Sequence, residues 1–185
     1  MLAIAALHYQ FEAIHPFTDG NGRTGRIINL LYLVEAGLLE LPVLYLSGAI
    51  IRRKADYYRL LRGVTSDRAW DAWIVYMLES VAETAKWTTE RIRGIRELIR
   101  STTKRVKADA PTVYSRELIE LIFVQPYCRI QNVTDAEIAK RQTASTYLKR
   151  LVEIGVLSEV RVGREKLFLN SSLVRLLLDA EILER

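Results

Sequence analysis

The sequence predicts a mainly α-helical protein that ends in a small winged helix-turn-helix domain with a β-hairpin. Apolar residues return at helical spacing through most of residues 2–107. The composition then shifts over residues 108–112, Ala-Asp-Ala-Pro-Thr, which we predict to be a linker. Residues 160–169 alternate between apolar and charged side chains around Gly163, as is typical of a hairpin. We therefore expect a helical domain over residues 1–107 and a winged-helix domain over residues 113–185.

Local signals place the helices of the first domain. A helical pattern over residues 2–14 should end at His15, because a residue that precedes proline is disfavoured in the α region. A second helix is predicted from about residue 23 to residue 36, where Gly37 can close it in the left-handed conformation. Ser47 is predicted to cap a third helix that ends at Gly63.

A long helix should follow over residues 67–107. In the second domain, helical patterns cover residues 113–124 and 135–154, with Pro126 and Gly155 as their ends. Helices followed by a hairpin favour the winged-helix assignment.

Composition and charge exclude several classes of protein. The chain of 185 residues is 50% apolar and 26% charged, which excludes wholesale disorder. Residues 41–51 are the longest uncharged run of the densest apolar stretch and are too short to cross a membrane, so no membrane partner is expected. The single cysteine, Cys128, excludes an internal disulfide framework and favours a cytoplasmic location. The net charge of +5 is spread over both halves, so nucleic-acid binding would need local clusters.

The most specific segment is residues 15–26, His-Pro-Phe-Thr-Asp-Gly-Asn-Gly-Arg-Thr-Gly-Arg. Gly20 and Gly22 flank Asn21 just before a helix, so successive backbone N–H groups can converge on one anion, most naturally a phosphate. Arg23 and Arg26 lie three residues apart on that helix and can contact further phosphates. Several phosphates in a row are therefore expected here.

Two further side chains point to chemistry at this segment. A bare carboxylate at Asp19 would repel phosphate, so Asp19 is predicted to bind a divalent cation, best Mg²⁺, that phosphate oxygens share. His15 carries an imidazole that can accept a proton near pH 7, which makes it a candidate general base. Together these residues predict a phosphoryl- or nucleotidyl-transfer site. The three glycines also fit a dinucleotide fingerprint, but no strand precedes them.

The same segment resembles the signature of the Fic (Fido) family, H-P-F-x-(D/E)-G-N-G-R-x-x-R, at every fixed position. The resemblance implies a helical core whose two central helices are joined by the motif, and the transfer of AMP from ATP to a Ser, Thr or Tyr hydroxyl of a target protein. It implies that His15 is the general base, that Asp19 binds Mg²⁺ and that Phe17 anchors the loop in the core. The implied nucleotide-binding residues are Phe17, Thr18, Asp19, Gly20, Asn21, Gly22, Arg23, Thr24, Gly25 and Arg26.

Other segments resemble the branch of this family with a C-terminal winged helix, among them Tyr-Leu-Ser at 45–47 and Gln-Pro-Tyr-Cys at 125–128. Fic cores have several helices and a β-hairpin flap before the motif, whereas 14 residues precede His15, so we expect the C-terminal portion of a Fic core. The family's inhibitory motif contains Glu-Gly or Glu-Asn, and neither dipeptide occurs in the sequence. Expected partners are a target protein, which can be the chain itself, and a second copy in a homodimer.

The second domain leaves an alternative open. Polar and basic residues lie along the expected recognition helix, and the hairpin residues Arg161, Arg164 and Lys166 could contact phosphates of the DNA backbone. Glutamates nearby dilute this charge, so a protein-docking role is equally open. The alternative function is a DNA-binding regulator with an inactive Fic remnant. Its candidate DNA-binding residues are Arg141, Gln142, Thr143, Ser145 and Lys149.

Overall fold

A computed structural model of the chain describes residues 2–163 and 165–178. The predicted fold class is confirmed: the described residues are mainly helical, with one small antiparallel sheet. The chain divides into two compact units, residues 1–90 and residues 91–185. The division lies inside a long helix, earlier in the chain than the predicted linker. Residues 108–112 lie within the second unit, where Ala110 is 2% exposed and packs in that unit's core while the other four residues are exposed.

Over its described residues, 2–90, the first unit contains four helices and the start of a fifth. They are α1 (Leu2–Ile14), α2 (Asn21–Glu35), α3 (Leu46–Arg52), α4 (Lys54–Asp67) and α5 (Trp70–Asp109). Trp73 is fully buried at the centre of this core, and its indole N–H donates to the Ala5 carbonyl at 2.9 Å. This bond fixes α1 against α5, so the helix that leads to His15 has a defined position in the unit.

Two predicted helix ends are confirmed and two are wrong. Helix α1 ends just before His15, and Gly37 adopts the left-handed conformation beyond α2, at φ 67°. Gly63, by contrast, lies inside α4, because packing of the buried neighbour Val64 outweighs the weak helix propensity of glycine. Ser47 does not cap a helix either, because α3 already begins at Leu46. The predicted third helix is also divided at Arg53 into α3 and α4.

In its described residues, the second unit contains the rest of α5, three further helices, a three-stranded sheet and a final helix. The elements after α5 are α6 (Arg116–Val124), β1 (Tyr127–Cys128), α7 (Ile130–Asp135), α8 (Arg141–Glu153), β2 (Ser158–Val162), β3 (Glu165–Leu169) and α9 (Ser171–Leu178). The predicted hairpin is confirmed, because β2 pairs antiparallel with β3 and Gly163 turns at φ 61°. The strand order is β1-β3-β2, and β1 was missed because two residues give no periodicity. Phe168 on β3 is fully buried and joins the sheet to the helices.

Candidate active site

The connection between α1 and α2 holds His15 in an uncommon backbone conformation. His15 follows the last residue of α1, has φ 50° and is exposed, while its N–H donates to the Phe11 carbonyl at 3.1 Å. Pro16 disfavours the α region at His15, so the chain leaves the helix there, as predicted. Left-handed conformations of residues other than glycine are found disproportionately at functional sites. The imidazole is thus presented to solvent at the start of the loop.

Asn21 holds this loop in place. Its side chain is buried, with 3% exposure; Oδ1 accepts the Phe17 N–H at 3.0 Å and Nδ2 donates to the Phe17 carbonyl at 2.6 Å. The expectation that the Phe17 ring anchors the loop in the core is wrong for this structure, because that side chain is 51% exposed. The loop is tethered instead through the Phe17 main chain, which the short amide of Asn21 can reach from the first turn of α2.

Gly20 makes the sharp entry into α2. Its φ of 85° lies in the left-handed region, which favours glycine, and its N–H donates to Asp19 Oδ1 at 2.6 Å. The Gly20 carbonyl accepts the Thr24 N–H at 2.9 Å and the Thr24 hydroxyl at 3.1 Å. The N–H groups of residues 21–23 therefore stand at the end of α2 without an acceptor inside their own helix. This end of α2 can accept an anion.

The charged residues around this helix end differ in exposure. Asp19 and Arg23 have side chains that are 90% and 73% exposed and form one ion pair at 3.2 Å. Such an exposed pair contributes less than about 1 kcal/mol, so both groups can exchange it for a cation or a phosphate. Thr18 is exposed in the loop beside them. The predicted site residues Thr18, Asp19 and Arg23 therefore lie together where the loop joins α2.

Arg26 lies deeper and has a partner that the sequence did not indicate. It is half-buried, and its Nε donates to Ser47 Oγ, on α3, at 2.9 Å. A Cβ atom placed on Gly22 would lie 3.2 Å from Arg26 Nη1, so the guanidinium lies over the first turn of α2. No local signal could have predicted this pair, because the two residues are 21 positions apart and belong to different helices.

A buried polar cluster lies behind the loop, and sequence analysis missed it. His8 is fully buried; its Nδ1 bonds to Asn29 Nδ2 and its Nε2 to the Tyr57 hydroxyl, each at 2.9 Å. Burial lowers the pKa of His8 to about 4, which keeps the imidazole neutral at neutral pH. The cluster joins α1, α2 and α4, and it is the polar anchor of the last two turns of α1 before His15.

Helices α1 and α2 lie close together at Gly25. A Cβ atom there would lie 2.8 Å from Glu12 Oε1 and 3.1 Å from His8 Cε1, so a larger residue would have to displace both side chains. Glu12 Oε1 is buried without a hydrogen-bond partner, and burial raises the pKa of this carboxyl while the charge of Arg26 opposes the rise. Gly25 was predicted as a nucleotide-binding residue, and its structural contribution is this contact between the helices on either side of the loop.

Residues predicted to contact DNA lie on α8. Arg141, Gln142, Thr143 and Lys149 are exposed, and Ser145 is half-buried. Two basic residues near them are paired with glutamates, Arg129 with Glu165 at 3.0 Å and Lys166 with Glu159 at 2.6 Å. Arg161 is exposed on the hairpin, whereas Arg164 lies outside the described residues.

The structure thus defines a helical protein in which a helix end that can accept an anion follows an exposed histidine. The sequence profile of the Fic/DOC family matches residues 1–33, which contain this site. A second profile, described as the C-terminal domain of SoFic-like protein adenylyltransferases, matches residues 98–173. The chain belongs to the Fic family.

Similar proteins of known sequence are named as protein adenylyltransferases. A protein of Aquifex aeolicus named "Probable protein adenylyltransferase" is 64% identical over 33 residues, which are 18% of this chain and 10% of that protein. The protein adenylyltransferases of Caenorhabditis elegans and Nematostella vectensis are each 39% identical, over 57 and 61 residues. These stretches are 31% and 32% of this chain, and 10% and 13% of the relatives. The alignments therefore span only about a tenth of the length of these relatives.

A Fic family protein of Desulfovibrio desulfuricans has a solved crystal structure that is 23% identical in sequence, with a TM-score of 0.46. The similarity covers 91% of this chain and 48% of that one.

Among residues 2–163 and 165–178, no helix is both long and apolar enough to cross a membrane.

Proposed function

We propose that this chain transfers AMP from ATP to a hydroxyl group of a target protein. The observation that carries the proposal is the placement of His15, exposed and left-handed at the end of α1, directly before the loop that leads to the free N–H groups of α2. The family match over residues 1–33 and the names of the similar proteins support the same activity.

In the proposed reaction, the imidazole of His15 accepts the proton of a Ser, Thr or Tyr hydroxyl. The hydroxyl oxygen forms a bond to the α-phosphorus of ATP, and the bond from that phosphorus to the bridging β-oxygen breaks. Pyrophosphate leaves, and AMP remains as an ester of the target side chain. The N–H groups at the start of α2 stabilise the phosphate charge near the reacting centre, and Arg23 and Arg26 hold the outer phosphates.

The residues present fit a Mg²⁺ ion that travels with ATP. Magnesium is commonly held by one or two carboxylates together with substrate phosphates and water. Asp19 supplies one such carboxylate, and it is 90% exposed beside the end of α2. No group of three or more His, Cys, Asp or Glu residues in the described part of the chain could hold a metal. Asp19 would hold the ion, which when bound would neutralise part of the charge of the phosphates.

Radioactive ATP tests the proposal directly. ATP labelled at the α-phosphate, with Mg²⁺, should label the chain itself or a protein of a cell lysate. With ATP labelled at the γ-phosphate, the purified chain should stay unlabelled, and adding it to the lysate should not increase the labelling that the lysate's own kinases produce. Removal of Mg²⁺ by a chelator should stop the labelling. Equal labelling from both forms of ATP would indicate transfer of a different group, and no α-labelling of any protein would contradict the proposal.

A second candidate function is DNA binding by the second unit. It is favoured by the polar and basic side chains that α8 exposes, which are Arg141, Gln142, Thr143 and Lys149. Arg161, on strand β2 of the hairpin, is exposed as well. In this alternative the chain is a DNA-binding regulator, and the Fic part is inactive. The ion pairs of Arg129 and Lys166 with glutamates reduce the positive charge, so any affinity depends on the few unpaired groups.

Replacing Arg141 with glutamate is expected to weaken the binding of a random-sequence DNA duplex about tenfold at low salt, because a phosphate contact becomes a repulsion. Electrophoretic shift measures the change. Arg100→Glu on α5 makes the same change of charge at another exposed arginine and should bind like the unaltered chain. Equal weakening by both variants would indicate unspecific attraction, and no weakening by Arg141→Glu would contradict the DNA contact.

A further inference from the structure

We propose that Ser47 is a positioning residue that orients Arg26 toward the outer phosphates of the nucleotide. This inference rests on the proposed binding of ATP at the end of α2. Ser47 lies in the first turn of α3, and its hydroxyl oxygen accepts a hydrogen bond from Arg26 Nε at 2.9 Å.

The geometry of a guanidinium group makes this contact specific. Its five N–H donors lie in one plane, and two of its edges can each hold a pair of oxygen atoms. Because Nε is engaged with Ser47, the edge formed by Nη1 and Nη2 remains for a second partner. A phosphate needs two parallel donors of this kind for a bidentate contact. Ser47 thus determines which edge of Arg26 is presented.

The surroundings of Nη1 show where that edge lies. Nη1 would be 3.2 Å from a Cβ atom on Gly22, so the guanidinium occupies the space that the missing side chain leaves over the first turn of α2. The N–H groups of residues 21–23 stand at the same end of the helix. The arginine charge and these groups can therefore act on one polyphosphate.

Glu12 explains why a neutral partner for Arg26 is needed. Its Oε1 would lie 3.9 Å from the same Cβ position on Gly22. The Glu12 carboxylate on α1 and Arg26 Nη1 on α2 therefore both lie near the first turn of α2. The carboxylate attracts the guanidinium and would compete with phosphate for it. The Ser47 hydroxyl carries no charge, so it fixes Nε without neutralising the arginine. Ser47 therefore holds the direction of Arg26 and leaves its charge available.

Calorimetric titration of the full chain tests this role with three ligands: Mg²⁺-ATP, inorganic tripolyphosphate and AMP, the last by displacement. Ser47→Ala should weaken Mg²⁺-ATP and tripolyphosphate about tenfold, the usual effect of losing a hydrogen bond to a charged group. AMP has no outer phosphates, so its affinity should change by less than about twofold. Ser47→Thr keeps the hydroxyl and should restore the affinity for ATP. Ser66→Ala on α4 makes the same chemical change at an exposed site and should have no effect.

The outcomes separate this role from a general structural one. Equal loss of ATP and AMP would show that Ser47 only supports the fold, and wild-type affinity for ATP in Ser47→Ala would overturn the inference outright. Failure of the unaltered chain to bind tripolyphosphate would also overturn it. If the expected pattern of affinities holds but α-labelled ATP transfers no AMP, the role of Ser47 stands and the proposed transferase function fails.

Discussion

Replacing His15 with alanine is expected to lower the rate of AMP transfer at least about a hundredfold, the usual contribution of a positioned general base. Binding of Mg²⁺-ATP should change little, because the phosphate contacts assigned above come from α2 and not from the imidazole. The His15 side chain is exposed, so its loss should disturb little of the packing. Transfer from α-labelled ATP under single-turnover conditions measures the rate, and calorimetry measures the binding.

Alanine also changes the backbone preference at residue 15, where φ is 50°. Asparagine tolerates the left-handed region far better than alanine, so His15→Asn removes the base while it keeps the loop conformation. Both variants should lose transfer to the same extent. Activity that survives in His15→Asn but not in His15→Ala would show that the conformation of the loop matters and that the imidazole is not the base.

The local part of this site could be predicted from the sequence. Pro16 ends α1, and Gly20, in its left-handed conformation, lets the chain enter α2, so the spacing of turn formers placed His15 between two helices. Each of these signals acts within a few residues, and the structure has the loop where the pattern put it. The predicted ends of α1 and of the hairpin strands rest on the same kind of signal.

The parts that sequence analysis missed depend on contacts between distant residues. The bond from Arg26 to Ser47 spans 21 positions, and the bond from His8 to Tyr57 spans 49. A serine before a helical pattern favours an N-cap, and only the packing of α3 beside α2 turns Ser47 toward an arginine instead. His8 on an otherwise apolar helix face gave no sign of its partners, because they lie on α2 and α4. Tertiary packing therefore decided the identity of the supporting residues.

Acidification from pH 6.5 to pH 4 is expected to remove about 3 kcal/mol from the unfolding free energy of the first unit through His8 alone. The unfolded chain binds a proton at His8 near pH 6.5, whereas burial lowers the pKa of the folded state to about 4. Across this window the unfolded state binds more protons, so stability falls as the pH falls. Well above pH 6.5 the imidazole is neutral in both states, and this contribution to the pH dependence vanishes.

Glu12 opposes this trend over part of the window. Burial raises the pKa of its carboxyl, so the folded state takes up a proton at a higher pH than the unfolded state, and acid relieves the cost of a buried charge. The contribution of His8 is therefore measured as a difference between the unaltered chain and His8→Gln, which keeps a polar group near Tyr57 but does not titrate.

Urea unfolding at a series of pH values between 7 and 4 measures this difference. All three tryptophans, Trp70, Trp73 and Trp87, lie in residues 1–90, so tryptophan fluorescence follows the first unit. His8→Gln should be less stable than the unaltered chain at pH 7, because two buried hydrogen bonds are altered. The gap should narrow steadily below pH 6.5, as the unaltered chain alone bears the cost of protonating His8. Parallel pH profiles for the two proteins would show that His8 is not the buried neutral group that anchors α1.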